Sequence, residues 1–283
     1  MTRTSHRIGI PALVRHGFGA VQTVSPALAA RAAERIFFTP PRRDDDAEIE
    51  GFLATGRRFV IPVNGGEVAG WRWGAGPVVY LAHGWGGRGG RFGSYIRPLV
   101  AAGFTAVAWD APGHGASGRG MSSMPEFARA LAAVVADQGP AHAIVAHSMG
   151  ASATALAASL GVPAGRFAFL APAANPASFA IPFARALGAA PEVMRRARAR
   201  SERRLRFSWN DLDVPRMSER MSAPLLVVHD RQDQVVPFSD GERIAAAWPG
   251  ARLLATEGLG HRGVIRDPGV VGEVVGFVRR IDG

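Results

Sequence analysis

Five short, almost uninterrupted apolar runs constrain this chain more than any other feature: "PVVYLAH" (77–83), "FTAVAWD" (104–110), "HAIVAH" (142–147), "RFAFLAP" (166–172) and "PLLVVHD" (224–230). None shows the in-out alternation of a half-solvated strand, so each must be covered on both faces, as strands of parallel sheets are. Helical patterns separate them, near 91–102, 124–137, 149–160, 239–248 and 268–280. Strand-like segments at 57–63, 67–73 and 251–256 bring the expected sheet to eight strands. The spacing predicts an α/β fold with a mostly parallel sheet and helices on both faces. At 283 residues the chain is long enough to bury about three quarters of its unfolded surface.

Two segments stand apart from this body. Residues 1–50 read as a helical extension and linker ahead of a body at 51–283, and residues 174–221 read as a helical insertion in that body. In the extension, Ile10, Val14, Phe18, Val21, Leu28, Ala32 and Ile36 recur at helical spacing. Ser25-Pro26 supplies an N-cap followed by proline at the first helical position. Two short amphipathic helices follow, then a linker in "TPPRRDDDAE" (39–48), where consecutive prolines stop the second helix.

Charge is distributed just as unevenly. The net +10 comes wholly from arginine, since the sequence contains no lysine. Residues 1–43 carry +6 and residues 174–220 carry +5, which leaves the rest at −1 and argues against a nucleic-acid-binding core. "MRRARARSERRLR" (194–206) holds seven arginines, read either as a solvated helix face or as an attractor for anionic substrates. Nearby Phe179, Ile181, Phe183, Met194, Phe207 and Trp209 offer it an apolar underside. With no cysteine, disulfides, thiolate metal sites and a thiol nucleophile are excluded.

Polar residues gather where the strands end, which is where open parallel sheets bind ligands. "HGWGGRGG" (83–90), "DAPGHGAS" (110–117), "HSMGA" (147–151), "DRQDQVVP" (230–237) and "GLGHRG" (258–263) each follow a strand. The glycine-rich loop at 83–90 lacks the Gly-Lys-Ser/Thr ending and the spacing of nucleotide-binding loops. Ser148 sits on the hinge between a strand-like and a helix-like run, among small neighbours that let the two come close.

These residues resemble the α/β-hydrolase fold family of serine hydrolases, in particular carboxylesterase- and lysophospholipase-like members with a small cap, over about 57–281. Ala146-His147-Ser148-Met149-Gly150 matches the G-x-S-x-G nucleophile elbow, with alanine for the first glycine. The resemblance implies Ser148 as nucleophile, His261 as general base and Asp233 as the carboxylate that orients it, in the family's chain order. Asp230 is the rival acid, read as a turn residue, and His147 the rival base, read as lining or backing the pocket with His83 and Gly84. The main-chain N–H groups of Trp85 and Met149 are the implied oxyanion donors. An aspartate at the elbow would have indicated halide or epoxide chemistry, and this elbow carries serine.

The expected activity is hydrolysis of an acyl ester or thioester through a covalent acyl-enzyme, with no cofactor and no metal. The alternatives are a peptidase, amidase or C–C bond hydrolase on the same residues, or a hydrolase-like binding protein without turnover. The expected partner is a small-molecule acyl ester, not nucleic acid. Cytoplasm is the default compartment, with the N-terminal helices as a candidate peripheral contact with the inner face of the membrane.

Overall fold

The computed structural model describes residues 9–41, 47–63 and 66–280. Eight strands form one sheet: β1 (Arg57–Val63), β2 (Gly66–Trp73), β3 (Val78–Ala82), β4 (Thr105–Trp109), β5 (Ala141–His147), β6 (Phe167–Leu170), β7 (Leu225–Asp230) and β8 (Arg252–Thr256). Their order is β1-β2-β4-β3-β5-β6-β7-β8. β1 and β2 form an antiparallel hairpin joined antiparallel to β4, with Gly70 opposite Trp109, and every later pairing is parallel. The uninterrupted apolar runs occupy the middle of the sheet, where β3, β4, β6 and β7 are buried at every residue. The edge strands β1 and β8 are partly exposed.

The helices are α1 (Ala12–Val24), α2 (Pro26–Phe38), α3 (Ala47–Leu53), α4 (Gly93–Ala101), α5 (Met124–Gln138), α6 (Met149–Ser159), α7 (Ala180–Leu187), α8 (Pro191–Leu205), α9 (Val214–Ser218), α10 (Phe238–Ala247), α11 (Gly260–Gly263) and α12 (Pro268–Arg279). One apolar cluster, containing Phe127, Leu156 and Trp248, lies under α5, α6 and α10. A second, containing Tyr95, Leu99 and Val274, lies under α4 and α12 on the other face. Ser25 caps α2 as read, its Oγ accepting from Leu28 N, and Ser123 does the same for Glu126 at the start of α5, a cap that the sequence reading does not single out.

Of the linker read at 39–48, residues 42–46 lie outside the described residues, and Ala47 already begins α3. Ile49 and Leu53, one helical turn apart, pack on Ala69 and Trp71 of β2. The charge run ahead of them masks this apolar pair in the sequence.

The N-terminal helices rest on the insertion. Small Ala29, Ala30 and Ala33 of α2 let it approach α8 at Val193 and Ala197, while Phe18 of α1 packs in the same cluster as Phe183 and Leu187 of α7. Gln22 spans the joint, donating to Gly188 O at 3.0 Å and accepting from Ala190 N at 3.0 Å. Glu34, buried at 4% exposure, accepts from Arg200 at 2.8 Å and Arg204 at 3.0 Å, and Arg204 continues to Glu126 at 3.0 Å. Arg195 and Arg196 pair with Glu192, and Arg198 with Glu202. The basic run 194–206 is therefore largely spent on intramolecular partners.

Candidate active site

The strand order reverses between β3 and β5, and there the loops leaving the two strands part to open a crevice. Ser148 stands at this point, at the end of β5. Its backbone has φ 54° and ψ −124°, a conformation non-glycine residues rarely hold. A hydrogen bond from Ser148 N to Leu170 O at 2.9 Å pins it from β6. The sharp turn swings the chain from strand to helix and aims the hydroxyl upward out of the sheet. Such a turn tolerates only small neighbours: a Cβ on Gly84 would lie 2.9 Å from Ser148 Cβ, so the loop after β3 comes this close because position 84 has no side chain.

His261 is carried by α11, beyond β8, and meets Ser148 from across the crevice. Its Nε2 lies 3.1 Å from Ser148 Oγ and its Nδ1 lies 2.7 Å from Asp233 Oδ2. A carboxylate only accepts, so Nδ1 carries the ring proton and Nε2 offers its lone pair to the serine hydroxyl. Asp233 is fixed in turn by Val235 N and Val236 N, which donate to Oδ1 at 2.7 and 2.9 Å. Burial alone would push the Asp233 carboxyl up, but hydrogen bonds from His229, His261 and Val236 N outweigh it and hold the group well below the usual carboxylate range. It is anionic whenever the protein is folded near neutral pH.

Asp230 takes a different part. It accepts from Gln232 N at 2.9 Å, Thr256 Oγ1 at 2.8 Å and Leu259 N at 3.0 Å, so it ties the loop bearing Asp233 to the loop bearing His261. Burial raises its pKa, and those hydrogen bonds, joined by one from Gly260 N, bring it below the ordinary value. His147 Nε2 donates to His261 O at 2.9 Å and supports α11 from below. His83 and His114 brace the glycine-rich loop: His83 bonds Gly84 O at 2.8 Å and accepts from Ala111 N at 2.9 Å, while His114 accepts from Gly86 N at 3.0 Å.

Met149 begins α6, so the helix itself offers its N–H no partner. Neither that N–H nor the N–H of Trp85 has a hydrogen-bond partner among the described residues. Both residues line a chamber of about 680 Å³ that also contains Ser148, His261, His83, Gly84 and His147. Its far wall is apolar, built from Phe37 of α2 together with Phe183, Leu205 and Trp209 of the insertion. Phe37 stacks on Trp209 with ring centroids 5.7 Å apart and meets Phe183 edge-on at 5.0 Å. No group of three or more His, Cys, Asp or Glu side chains placed to hold a metal ion occurs among the described residues.

A family model described as the alpha/beta hydrolase family matches residues 78–274, which include Ser148, Asp233 and His261. The chain belongs to the alpha/beta hydrolase family. Among solved structures, the esterase RhEst1 from Rhodococcus sp. ECU1013 has a TM-score of 0.61 at 20% identity, covering 80% of this chain and 99% of that one. The bromoperoxidase from Bacillus anthracis has a TM-score of 0.61 at 18% identity, covering 78% and 99%. In sequence, the chain is 38% identical over 56 residues to RutD of Pseudomonas savastanoi pv. phaseolicola, a protein assigned as a carbamate hydrolase. That match covers 20% of this chain and only 22% of the relative's length.

The sequence reading of His229 as a strand-end residue with a structural or pocket role stops short of its partner, and the chamber wall on α2 is not read at all. His229, fully buried within β7, donates from Nε2 to Val236 O at 3.1 Å and lies 3.4 Å from Asp233 Oδ2, so it backs the carboxylate from behind. A histidine inside the apolar run "PLLVVHD" was the available signal, since such a strand interior rarely admits one. The chamber wall supplied by α2 had no signal, because helical periodicity gives an apolar face without saying what it covers.

The buried histidines also set the acid stability of this family member. Desolvation lowers the pKa of His147 to about 3 and that of His114 to about 4, and holds His83 well below its ordinary value. In the unfolded chain all three take up a proton near pH 6.5. Below that pH the unfolded state binds more protons than the folded one. Stability is therefore full above about pH 6.5 and is lost as pH falls toward 4, by up to about 1.4 kcal/mol per pH unit for each histidine. Urea midpoints at pH 8.5, 7.5 and 5.5 should fall almost wholly between the last two; a midpoint unchanged at pH 5.5 would contradict this.

Proposed function

We propose that this protein is a serine hydrolase that cleaves acyl esters or thioesters through a covalent acyl-enzyme. Ser148 Oγ attacks the carbonyl carbon as His261 Nε2 takes its proton, and anionic Asp233 stabilises the imidazolium. The carbonyl oxygen becomes an oxyanion between the N–H groups of Met149 and Trp85; one such donor is worth about 3 kcal/mol in the transition state. His261 returns the proton to the departing alcohol or thiol. It then draws a proton from water, whose oxygen attacks the acyl carbon, and as the acyl–Oγ bond breaks His261 returns that proton to Ser148 Oγ, releasing the acid. Every proton in the cycle is carried by protein groups, substrate and water.

The observation that carries this reading is the continuous hydrogen-bonded chain from Ser148 Oγ through His261 to Asp233, at 3.1 and 2.7 Å, on the floor of an apolar chamber. The insertion and α2 act as a cap, and their aromatic wall suits an acyl chain better than a peptide backbone, which would leave amide groups unpaired there. The structural neighbour named as an esterase, RhEst1, is in keeping with the choice of bond.

Steady-state turnover of p-nitrophenyl esters from acetate to octanoate tests it. Each buried methylene contributes up to about 0.8 kcal/mol, or about fourfold in kcat/KM, so the longer esters should be preferred until the chamber is filled. His261→Ala should abolish saturable turnover along the whole series. A flat profile, or saturable turnover that survives in His261→Ala, would contradict the reading.

A further inference from the structure

Eight large apolar side chains stand exposed among the described residues, and six of them share one region: Leu13, Val14, Val21 and Val24 on α1, Leu28 on α2 and Ile181 on α7. Leu13 and Val24 are 84% and 86% exposed, at positions where solvent-facing helices ordinarily carry polar groups. With Gly17 and Ala20 they form one stripe along α1, while Phe18 on another side of the helix is buried against the insertion. Helix α1 thus carries an exposed apolar stripe beside the face it buries, with Arg15, His16 and Thr23 on the remaining side. An apolar area of this kind, gathered rather than scattered, marks a surface that something covers.

Charge points to the occupant. Leu28, Arg31 and Arg35 share the outer face of α2, and Ile181 and Arg185 lie one turn apart on α7. These arginines are exposed and have no acidic partner among the described residues. The acid of α2, Glu34, is turned inward to Arg200 and Arg204. The rim of the patch along α2 and α7 is therefore cationic. Two copies meeting through it would oppose like charges, whereas an anionic lipid surface meets both the apolar centre and the basic rim. No helix among the described residues is long and apolar enough to cross a membrane, so the contact lies on the surface.

We infer that the outer face of α1, α2 and α7 docks on anionic lipid surfaces and presents the chamber mouth to the lipid. Ile10, Pro11 and Val14 at the start of α1 line the chamber, so the docking face and the route to Ser148 adjoin. An acyl substrate dissolved in the lipid then reaches Ser148 without crossing water. The docking is independent of the chemistry at Ser148; the delivery of substrate rests on the function proposed above.

Full-length Ser148→Ala protein, in which hydrolysis cannot interfere, is sedimented with sucrose-loaded vesicles of phosphatidylglycerol and phosphatidylcholine and with vesicles of phosphatidylcholine alone. It should pellet with the anionic vesicles at low salt and much less with the neutral ones. The double substitution Leu13→Ser and Val24→Ser, at side chains outside the chamber lining, should lower the vesicle partition coefficient by about tenfold. In the otherwise unmodified chain it should leave p-nitrophenyl acetate turnover unchanged. Protein that stays in the supernatant, equal binding to both vesicle types, or equal binding by the double variant would each overturn the inference. So would a dimer, seen by light scattering, that the same two substitutions dissolve, since the face would then belong to a second copy.

Discussion

Ser148→Ala is expected to lower kcat/KM for an acyl ester by about 10⁴- to 10⁶-fold, while the melting temperature changes little. The side-chain hydrogen bond of Ser148 is the one to His261 Nε2, and the turn is held through its main chain, by Ser148 N to Leu170 O at 2.9 Å. Alanine therefore removes the proposed nucleophile and leaves the scaffold. What survives is whatever the Met149 and Trp85 N–H groups and the chamber do unaided. If the hydroxyl and the imidazole work as one unit, as proposed, Ser148→Ala combined with His261→Ala should be no slower than either alone. A double variant that lost activity as the product of the two single losses would mean that the residues act separately.

Gly150→Ala should have the largest effect on stability. A Cβ at position 150 would lie 2.3 Å from His83 O, 2.6 Å from Ala82 O and 2.9 Å from the His83 carbonyl carbon. All three belong to the backbone at the end of β3, in the middle of the sheet, so no side chain can turn aside to make room. Helix α6 has to move off β3, and Met149 N–H and the Ser148 turn move with it. The expected cost is about 3 kcal/mol or more, a fall of about 6 °C or more in melting temperature, with lost activity in the protein that still folds. Gly272→Ala provides the contrast, since the exposed middle of α12 has nothing within 4 Å of the new Cβ. It should hold or raise the melting temperature, by up to about 1 kcal/mol in stability. Thermal unfolding of the two variants side by side separates the close-approach argument from a general intolerance of alanine.

The sheet was legible because burial on both faces leaves a strand no choice but to be apolar throughout, and "PVVYLAH" or "PLLVVHD" has few other uses. Ser25-Pro26 marked the start of α2 for an equally local reason, a hydroxyl that accepts from Leu28 N. Ser148, Asp233 and His261 could be singled out because they follow different strands in a known order. Partnerships between distant segments were not legible. Glu34 is the lone acid among seven arginines in residues 1–43, yet nothing local tells that it turns inward to meet Arg200 and Arg204. The basic run at 194–206 therefore looked freer than it is. His229 behind Asp233 and Phe37 against Trp209 are further contacts that only the folded chain creates.

Intact-protein mass spectrometry after brief exposure to a fluorophosphonate tests the central claim most directly, because the reagent bonds fastest to a hydroxyl whose proton a neighbouring base can accept. The full chain should gain the mass of one phosphonyl group, located by peptide mapping at Ser148, and His261→Ala should slow that gain by several orders of magnitude. Folded protein that gains no mass, or carries the adduct on a different residue, would contradict the account.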